Sequence, residues 1–261
     1  MYCWGRNNVG QLGNASNTDS NVPVAVDTSG VLNNKTIKYV KAGGGSSNGF
    51  SCAVTSEELV YCWGYNTEGQ LGNNTTVNSN IPVPVDMSGV LNGKTIKKIT
   101  IGSYHTCVIA SDDNPYCWGK GTKGVLGNRV AVSSFVPVAV DLTSELNGFT
   151  VKEISTGGGS GNSSSFSCVI KSNDQPSCWG SNSSSQLGNS SKGSGSYYYP
   201  LPFSYTSTIG EKIIDIANST ATTCILNSNS QIFCWGDNLS GQVGAGIVSN
   251  TSGTPKKVLL P

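Results

Sequence analysis

The chain has 261 residues and a formal net charge of +1, and charged residues make up only 12% of it, about half the usual share. Such a balance argues against a duplex nucleic-acid binder, which needs a clustered basic face. The sequence contains no run of 18 or more apolar residues, so it predicts no membrane-spanning helix. The single histidine, His105, leaves little room for imidazole catalysis or for Cys/His metal sites, so the composition favours a binding module over an enzyme.

A Trp-Gly motif recurs five times along the chain, at spacings of 59, 55, 61 and 56 residues. It is followed by a nearly constant stretch, which reads WGYNTEGQLGN in the second copy. Repetition at this period is typical of modular architectures. The tryptophans are Trp4, Trp63, Trp118, Trp179 and Trp235, and the repeat units are 1–60, 61–115, 116–176, 177–232 and the partial 233–261.

Each unit contains four short β signals separated by turn residues. In the second unit they lie at 61–63, 81–85, 95–99 and 106–109, with an Asn-Gly turn at 92–93. Proline cannot donate to a sheet ladder, so the second, proline-bearing strand is expected at a sheet edge. No segment longer than ten residues shows helical periodicity.

These units predict an all-β propeller of four-stranded antiparallel blades, in a single domain over residues 1–261. Four units of four strands, plus two strands at 234–236 and 256–259, give 18 strands, or 4.5 blades.

The fourth position of the motif holds only asparagine or glycine, which predicts a left-handed backbone conformation there. These residues are Asn7, Asn66, Gly121, Asn182 and Asn238. The glycines of the motif are expected at positive φ or at close chain approaches. They are Gly5, Gly64, Gly119, Gly180 and Gly236, with Gly13, Gly72, Gly127, Gly188 and Gly244.

Eight of the nine cysteines form pairs ten positions apart, separated by turn formers. This spacing does not suit a Cys-x-x-Cys zinc or redox motif, but it suits facing positions of a β-hairpin. We therefore predict four hairpin disulfides and an oxidising compartment, the alternative being pairs of buried free thiols. The pairs are Cys52 with Cys62, Cys107 with Cys117, Cys168 with Cys178, and Cys224 with Cys234.

Cys3 is the ninth cysteine and precedes its own Trp-Gly in the same way. By the pattern its partner would lie ten residues upstream. The expectation is that the chain is part of a longer protein.

The repeated C-W-G-x-N-x-x-G-Q-L-G-N, with V-P-V-x-V and I-K-x-I-x-x-G-x-x-H-T-C, resembles the regulator of chromosome condensation (RCC) repeat over essentially the whole chain. The resemblance implies a ring of seven four-stranded blades, to be completed by missing blades or by another chain. The paired cysteines are similar to those of secreted or surface-attached bacterial members.

Several residues with catalytic or ligand-binding side chains are better interpreted as structural. His105 occupies the repeat position of Phe50, Phe166 and Thr222, which predicts packing. The five tryptophans are likewise expected to pack between blades. Carboxylates at 57–58 and 112–113 are predicted to be solvated hairpin tips, and those that follow the second strand to cap turns. The latter are Asp27, Asp86 and Asp141.

Asn-x-Ser/Thr sequons are plentiful in this Asn- and Ser-rich chain and carry glycans only in a host that glycosylates. Examples are Asn14, Asn73, Asn182, Asn218 and Asn238.

The parts that vary between units are the candidate binding surface. The loops 43–49 and 157–165 are longer than their counterpart at 102–104, and the fourth spacer reads KGSGSYYYPLPF. Tyrosine provides rigid amphipathic contact area at interfaces. The candidate interface residues are Tyr65, Tyr104, Tyr197, Tyr198 and Tyr199.

The sequence therefore predicts a non-enzymatic, extracellular or cell-surface module that binds a protein or another surface macromolecule through its loops. Adhesive, structural and inhibitor-like roles all fit, and neither a cofactor nor a metal is expected. One alternative, implied by the resemblance, is a nucleotide-exchange regulator of a small GTPase. Another is a propeller-fold enzyme.

Overall fold

A computed structural model describes residues 1–45, 47–159, 164–189, 191–204, 209 and 212–259. It contains eighteen strands and a 3₁₀ turn at Thr122–Gly124. In chain order the strands are β1 (Tyr2–Gly5), β2 (Ser20–Ala25), β3 (Ile37–Gly43), β4 (Phe50–Thr55), β5 (Val60–Gly64), β6 (Ser79–Pro84), β7 (Ile96–Ile101), β8 (His105–Ala110), β9 (Pro115–Gly119), β10 (Ser134–Ala139), β11 (Val151–Gly157), β12 (Phe166–Lys171), β13 (Pro176–Ser181), β14 (Ser196–Pro202), β15 (Ile213–Asn218), β16 (Thr222–Asn227), β17 (Ile232–Asp237) and β18 (Thr251–Lys257).

The strands form four complete antiparallel blades and one half-blade. The complete blades are β3–β6, β7–β10, β11–β14 and β15–β18, each with spatial order equal to chain order, and β1 and β2 form the half-blade. The first strands of the complete blades, β3, β7, β11 and β15, line an open cavity of about 570 Å³. The predicted all-β propeller of four-stranded antiparallel blades is confirmed.

The half-blade lies at the other end of the chain from the one predicted. Counting strands in the sequence placed the two extra strands at the C-terminal end. The structure instead has them at β1 and β2, because β17 and β18 complete the sheet begun by β15 and β16. Each blade combines the last two strands of one sequence unit with the first two of the next. The cysteine pairs carry this offset, since Cys52 and Cys62 belong to neighbouring units but face each other across β4 and β5.

The fourth strand of each blade is an outer edge and carries the prolines, as predicted. Pro82 and Pro84 of β6 have no N–H group to donate. The sheet loses nothing by this, because β6 is its outermost strand. The ladder between β5 and β6 shifts register between Cys62 and Gly64. Gly64 has φ +106°, and a Cβ there would lie 2.7 Å from the Gly49 carbonyl oxygen, so glycine is required at this bulge.

Four of the five indoles are fully buried between blades. The Trp63 Nε1 donates to the Gln11 carbonyl at 3.0 Å, and a Cβ on Gly13 would lie 2.6 Å from the same nitrogen. The equivalent indoles make the same bond to the preceding unit at 2.8–3.0 Å. Each of these four tryptophans thus fixes its blade to the preceding unit's G-Q-L-G turn or its variant, whereas Trp4 is 64% exposed.

Candidate functional site

One end of each complete blade carries the connections from its first to its second strand and from its third to its fourth, and we call it the loop face. In the first complete blade the β3–β4 and β5–β6 connections meet there, because Phe50 pairs with both Gly43 and Gly64. The opposite end carries the β4–β5 hairpin tip and its equivalents. The β3–β4 and β5–β6 connections therefore lie together at one end of the blade.

The middle strands that support this face are held by the cysteine pairs. The structure joins Cys52 to Cys62, and the equivalent cysteines of each further complete blade are joined in the same way. All of these cysteines are buried except Cys224, which is partly exposed. Cys3 is a half-buried free thiol, and burial raises its pKa.

The loops of this face are organised by buried asparagine side chains. Asn66 is completely buried; its Oδ1 accepts the Leu71 N–H at 2.9 Å, and its Nδ2 donates to the Thr75 and Val77 carbonyls at 3.0 Å. Equivalent bonds are made by Asn7, Asn182 and Asn238.

The predicted left-handed conformation at this position is wrong. None of the four asparagines has a positive φ, and Gly121 has φ −103°. Asparagine is used because its amide both accepts and donates inside a loop with unsatisfied backbone groups. At Gly121 there is no room for a side chain, since a Cβ would lie 1.8 Å from the Val132 carbonyl oxygen. The ten motif glycines do have positive φ, as predicted.

The position after the bulge glycine presents a different side chain in each unit. It holds Arg6, Tyr65, Lys120, Ser181 and Asp237. Each of them follows a glycine at φ +100° to +111°, so the chain enters these turns in the same conformation. Arg6 is exposed and Tyr65, Lys120 and Asp237 are partly exposed, whereas Ser181 is buried, so four units offer a chemically distinct side chain at this position.

Two of these turns meet to form what we call the tyrosine–lysine cluster: Tyr65, Glu68, Tyr104 and Lys120. The rings of Tyr65 and Tyr104 make an edge contact with centroids 6.5 Å apart. The Lys120 ammonium lies 5.1 Å from the Tyr104 ring centre and 3.0 Å from the Glu68 carboxylate, so a cation–π contact and an ion pair fix the same side chain. Both tyrosines remain partly exposed.

Two members of this cluster were not among the sequence candidates. Lys120 occupies the same motif position as Tyr65, and Glu68 follows Tyr65 by three residues. A comparison of the units at that one variable position would have selected Lys120. Nothing in the sequence places Glu68 beside it.

The other three predicted tyrosines lie on the outer strand β14. Tyr197 and Tyr199 are partly buried against the hydrophobic core, and Tyr199 is covered by the Arg129 guanidinium at 5.2 Å. Tyr198 is 40% exposed and lies against Gly124 of the neighbouring blade. The structure thus brings Tyr65 and Tyr104 together and puts the other three on a blade edge.

His105 is completely buried at the start of β8, in the position that Phe50 and Phe166 occupy in other blades. Its Nε2 lies 3.0 Å from the Ser167 hydroxyl of the next blade. Burial lowers the pKa of His105 to about 3, so the ring is neutral at physiological pH. The residue packs between blades, as predicted.

The carboxylates considered for catalysis lie on hairpin tips away from the loop face. Glu57 pairs with Lys35 at 2.6 Å and Asp113 with Lys97 at 2.6 Å. Asp27 accepts from the Ser29 amide at 2.8 Å, and Asp86 and Asp141 make the same turn bond. The solvated tips and the turn-capping role agree with the predictions.

Within the described residues, no group of three or more His, Cys, Asp or Glu side chains is arranged to hold a metal ion. Over the same part of the chain, no helix has the length and apolar character needed to cross a bilayer. The longer loops at 43–49 and 157–165 fall partly outside the described residues.

Comparisons with known proteins agree with this architecture. The sequence profile described as "Regulator of chromosome condensation (RCC1) repeat" matches residues 1–48, 57–109 and 112–160, and a second profile of the same repeat matches 96–125 and 213–242.

Among curated proteins, human E3 ubiquitin-protein ligase HERC2 is 27% identical over 248 residues, which is 94% of this chain and 5% of that protein. Among solved structures, human WBSCR16 matches with a TM-score of 0.80 and 20% identity, covering 98% of this chain and 60% of that one. Prp20p from Saccharomyces cerevisiae matches with a TM-score of 0.78 and 20% identity, covering 100% of this chain and 59% of that one.

The chain therefore spans a small part of HERC2 and about three fifths of each structural neighbour. These structural likenesses support the fold. The repeat profile covers more than half of the residues, and the chain belongs to the regulator of chromosome condensation (RCC1) repeat family.

Proposed function

We propose that the chain is a non-enzymatic binding module that holds another protein at its loop face. The observation that carries this proposal is the repeated turn position whose side chain is exposed or partly exposed in four of the five units and differs among them. A constant scaffold with variable exposed residues is how repeat proteins achieve specificity.

The tyrosine–lysine cluster is the contact we assign to the partner. Tyr65 and Tyr104 offer apolar area with polar tips, and Lys120 is already neutralised by Glu68. Such a surface suits a protein rather than a phosphate backbone, which would require unpaired cations. Tyr198, on the edge of β14, is a secondary contact.

We further propose that the module works outside the cell or on its surface. Four disulfides are consistent with an oxidising compartment. Asn182 and Asn238 lie in Asn-x-Ser sequons, yet both side chains are buried and hydrogen-bonded. A glycan on either amide is incompatible with the fold, which favours a secretion route without N-glycosylation, as in the bacterial type.

The domain arrangement is also a proposal: residues 1–261 act as one propeller segment, and further blades or another chain complete a ring of seven. The sequence units at 1–60, 61–115, 116–176, 177–232 and 233–261 would be its repeat units, although each complete blade draws on two of them.

A second candidate is regulation of a small GTPase, as the family resemblance implies. It is favoured by the likeness to Prp20p, a protein described with binding properties to Gsp1p and histones. A thiol count under native conditions separates the two candidates, because a nuclear exchange factor keeps its cysteines reduced. A propeller enzyme is the least favoured alternative, since the titratable groups discussed above serve packing, turns and hairpin tips.

Site-specific photo-crosslinking tests the proposal. A benzophenone amino acid replaces Tyr104 on the loop face or, as a matched control, Glu57 on the opposite face, and each protein is exposed to surface proteins of its source cells. We expect partner adducts from position 104 and few from position 57. Adducts only from position 57, or equal adducts from both, would contradict binding at the loop face.

A further inference from the structure

The Asn-Gly dipeptide occurs three times in the chain, at 48–49, 92–93 and 147–148. In this dipeptide the asparagine side chain is open to attack by the backbone nitrogen of the next residue, because glycine has no Cβ to obstruct that nitrogen. The first and third copies are also followed by the same residue, phenylalanine. The surroundings of the three copies differ, so their reactivity depends on the structure as well as on the sequence.

Two of the copies lie in a turn that connects the last strand of one blade to the first strand of the next, which we call the crossover turn. In each example the N–H of the fourth residue donates to the carbonyl of the first, a buried leucine, at 2.9–3.1 Å. The third residue has φ between +58° and +76°, so the same backbone conformation is repeated. The crossover turns are residues 32–35, 91–94 and 146–149.

The third residue of the crossover turn differs between units and controls access to the asparagine before it. It is Asn34 in the first turn, but Gly93 and Gly148 in the other two, where an added Cβ would meet no atom within 4 Å. Within the described residues, neither glycine N–H is hydrogen-bonded, and neither are the exposed side chains of Asn92 and Asn147. Both groups that would react are therefore unpaired, and the space around them is open.

The copy at 48–49 is held by its own hydrogen bonds. The Asn48 side chain is 3% exposed; its Oδ1 accepts the Gly45 N–H at 2.7 Å, and its Nδ2 donates to the Ser103 carbonyl at 2.7 Å. A reaction of this amide would require both bonds to break and would leave their partners unpaired. Asn48 is therefore an internal control that has the same dipeptide in a protected setting.

We propose that Asn92 and Asn147 are modification sites, at which the folded chain deamidates to isoaspartate and aspartate, and that Asn48 is protected. At Asn92 the Gly93 nitrogen loses its proton and attacks Cγ. The new N–Cγ bond closes a succinimide ring, the Cγ–Nδ2 bond breaks, and ammonia leaves with the proton that the nitrogen gave up. Water then opens the ring at either carbonyl, so no oxidant or cofactor is needed. The proposal stands independently of the loop-face partner.

The modification changes the charge and the backbone of the hairpin-tip end of the blades. Each event replaces a neutral amide by a carboxylate, and isoaspartate adds one main-chain carbon to the crossover turn. In the turn at 91–94 the last residue is Lys94, whose ammonium lies 3.9 Å from the Asp112 carboxylate. The Ser111 N–H of the adjoining hairpin tip donates to the Thr95 carbonyl at 2.8 Å. The new charge therefore arises at the end opposite to the loop face.

Prolonged incubation of the folded protein at mildly alkaline pH, followed by proteolysis and mass spectrometry, tests the proposal, because each deamidated peptide gains one mass unit. We expect the two exposed Asn-Gly sites to react at least about tenfold faster than Asn48 and Asn33. A protein isoaspartate methyltransferase with S-adenosylmethionine should then label the reacted sites, which distinguishes isoaspartate from aspartate. In reduced protein unfolded by guanidinium chloride, Asn48 should react as fast as Asn147, because both are followed by Gly-Phe.

A reciprocal exchange of the third turn residue provides the matched variants. Asn34→Gly should raise the rate at Asn33 to that of Asn92 in the unaltered protein. Gly93→Asn should lower the rate at Asn92 to that of Asn33. Each variant introduces a residue that another crossover turn already carries at a positive φ, so we expect both proteins to fold.

Three results would overturn the proposal. The first is equal reaction of Asn48 and Asn147 in the folded protein, which would mean that burial and hydrogen bonding give no protection. The second is slow reaction at both exposed Asn-Gly sites. The third is an Asn34→Gly variant in which Asn33 remains unreactive.

Discussion

The half-blade and the first complete blade carry the same C-W-G motif in different surroundings. Trp63 is fully buried and bonded to the preceding turn, whereas Trp4 is mostly exposed. The C-W-G motif alone is therefore not sufficient to bury its tryptophan. Its indole becomes core only when two inner strands lie on one side and a neighbouring G-Q-L-G turn on the other, so stability in this fold is a property of pairs of blades.

The largest expected effect comes from removing a buried indole. Trp118→Ala should lower the free energy of unfolding by about 3–5 kcal/mol, because it leaves a large cavity and removes one of the two hydrogen bonds that the Gln70 carbonyl accepts. Trp4→Ala is the matched control and should change it by about 0.5 kcal/mol or less. Urea denaturation measures both. Equal losses would mean that the two indoles do not differ in burial.

The disulfides provide the next comparison. Replacing Cys107 and Cys117 together by alanine should lower the free energy of unfolding by about 2–4 kcal/mol, mainly through the unfolded chain. Cys3→Ala removes a free thiol and should have little effect. Thermal and urea unfolding under non-reducing conditions check this. A larger loss from Cys3→Ala would contradict the pairing.

The buried asparagines allow a test of why the residue is present. Asn66→Gly and Asn66→Ala should both lower the free energy of unfolding by about 1–3 kcal/mol, since both remove the amide that serves the Leu71 N–H and two carbonyls. If backbone conformation were the reason, glycine would be tolerated and alanine would not. Urea denaturation of the two variants decides between these causes.

The effect of His105 on stability depends on pH and is the smallest of the four when it is counted per pH unit. Its folded-state pKa of about 3 lies below the ordinary value of 6.5, so the unfolded chain binds the proton more readily. Stability is therefore full above pH 6.5 and falls as the pH drops toward 3, by up to about 1.4 kcal/mol per pH unit. His105→Phe, which introduces the residue found at the equivalent position 50, should remove this part of the slope. An unchanged slope in urea titrations between pH 4 and 7 would contradict it.

Much of the architecture was predictable because each repeat serves as a control for the others. The spacing of Cys107 and Cys117 predicted a hairpin, and Pro82 and Pro84 predicted an outer edge. The blade boundaries were not predictable from strand counting alone. A repeat can be divided at any strand, and only pairing decides which strands share a sheet.

The candidate site was predicted in part. Asparagine or glycine at one position suggested a backbone conformation, but the side chain of Asn66 serves as a buried hydrogen-bonding group. The contact between Tyr65 and Tyr104 depends on how two blades pack, across a separation of 39 residues. A single chain without coordinates carries no signal for such a neighbour.

The central claim, that each complete blade is built around one disulfide-bonded hairpin between neighbouring repeat units, is tested most directly by mass spectrometry of the unreduced protein. After alkylation and proteolysis, the account predicts four links, each joining cysteines ten residues apart, with the alkylating group on Cys3 alone. Links between different blades, or nine alkylated cysteines in the folded protein, would contradict it.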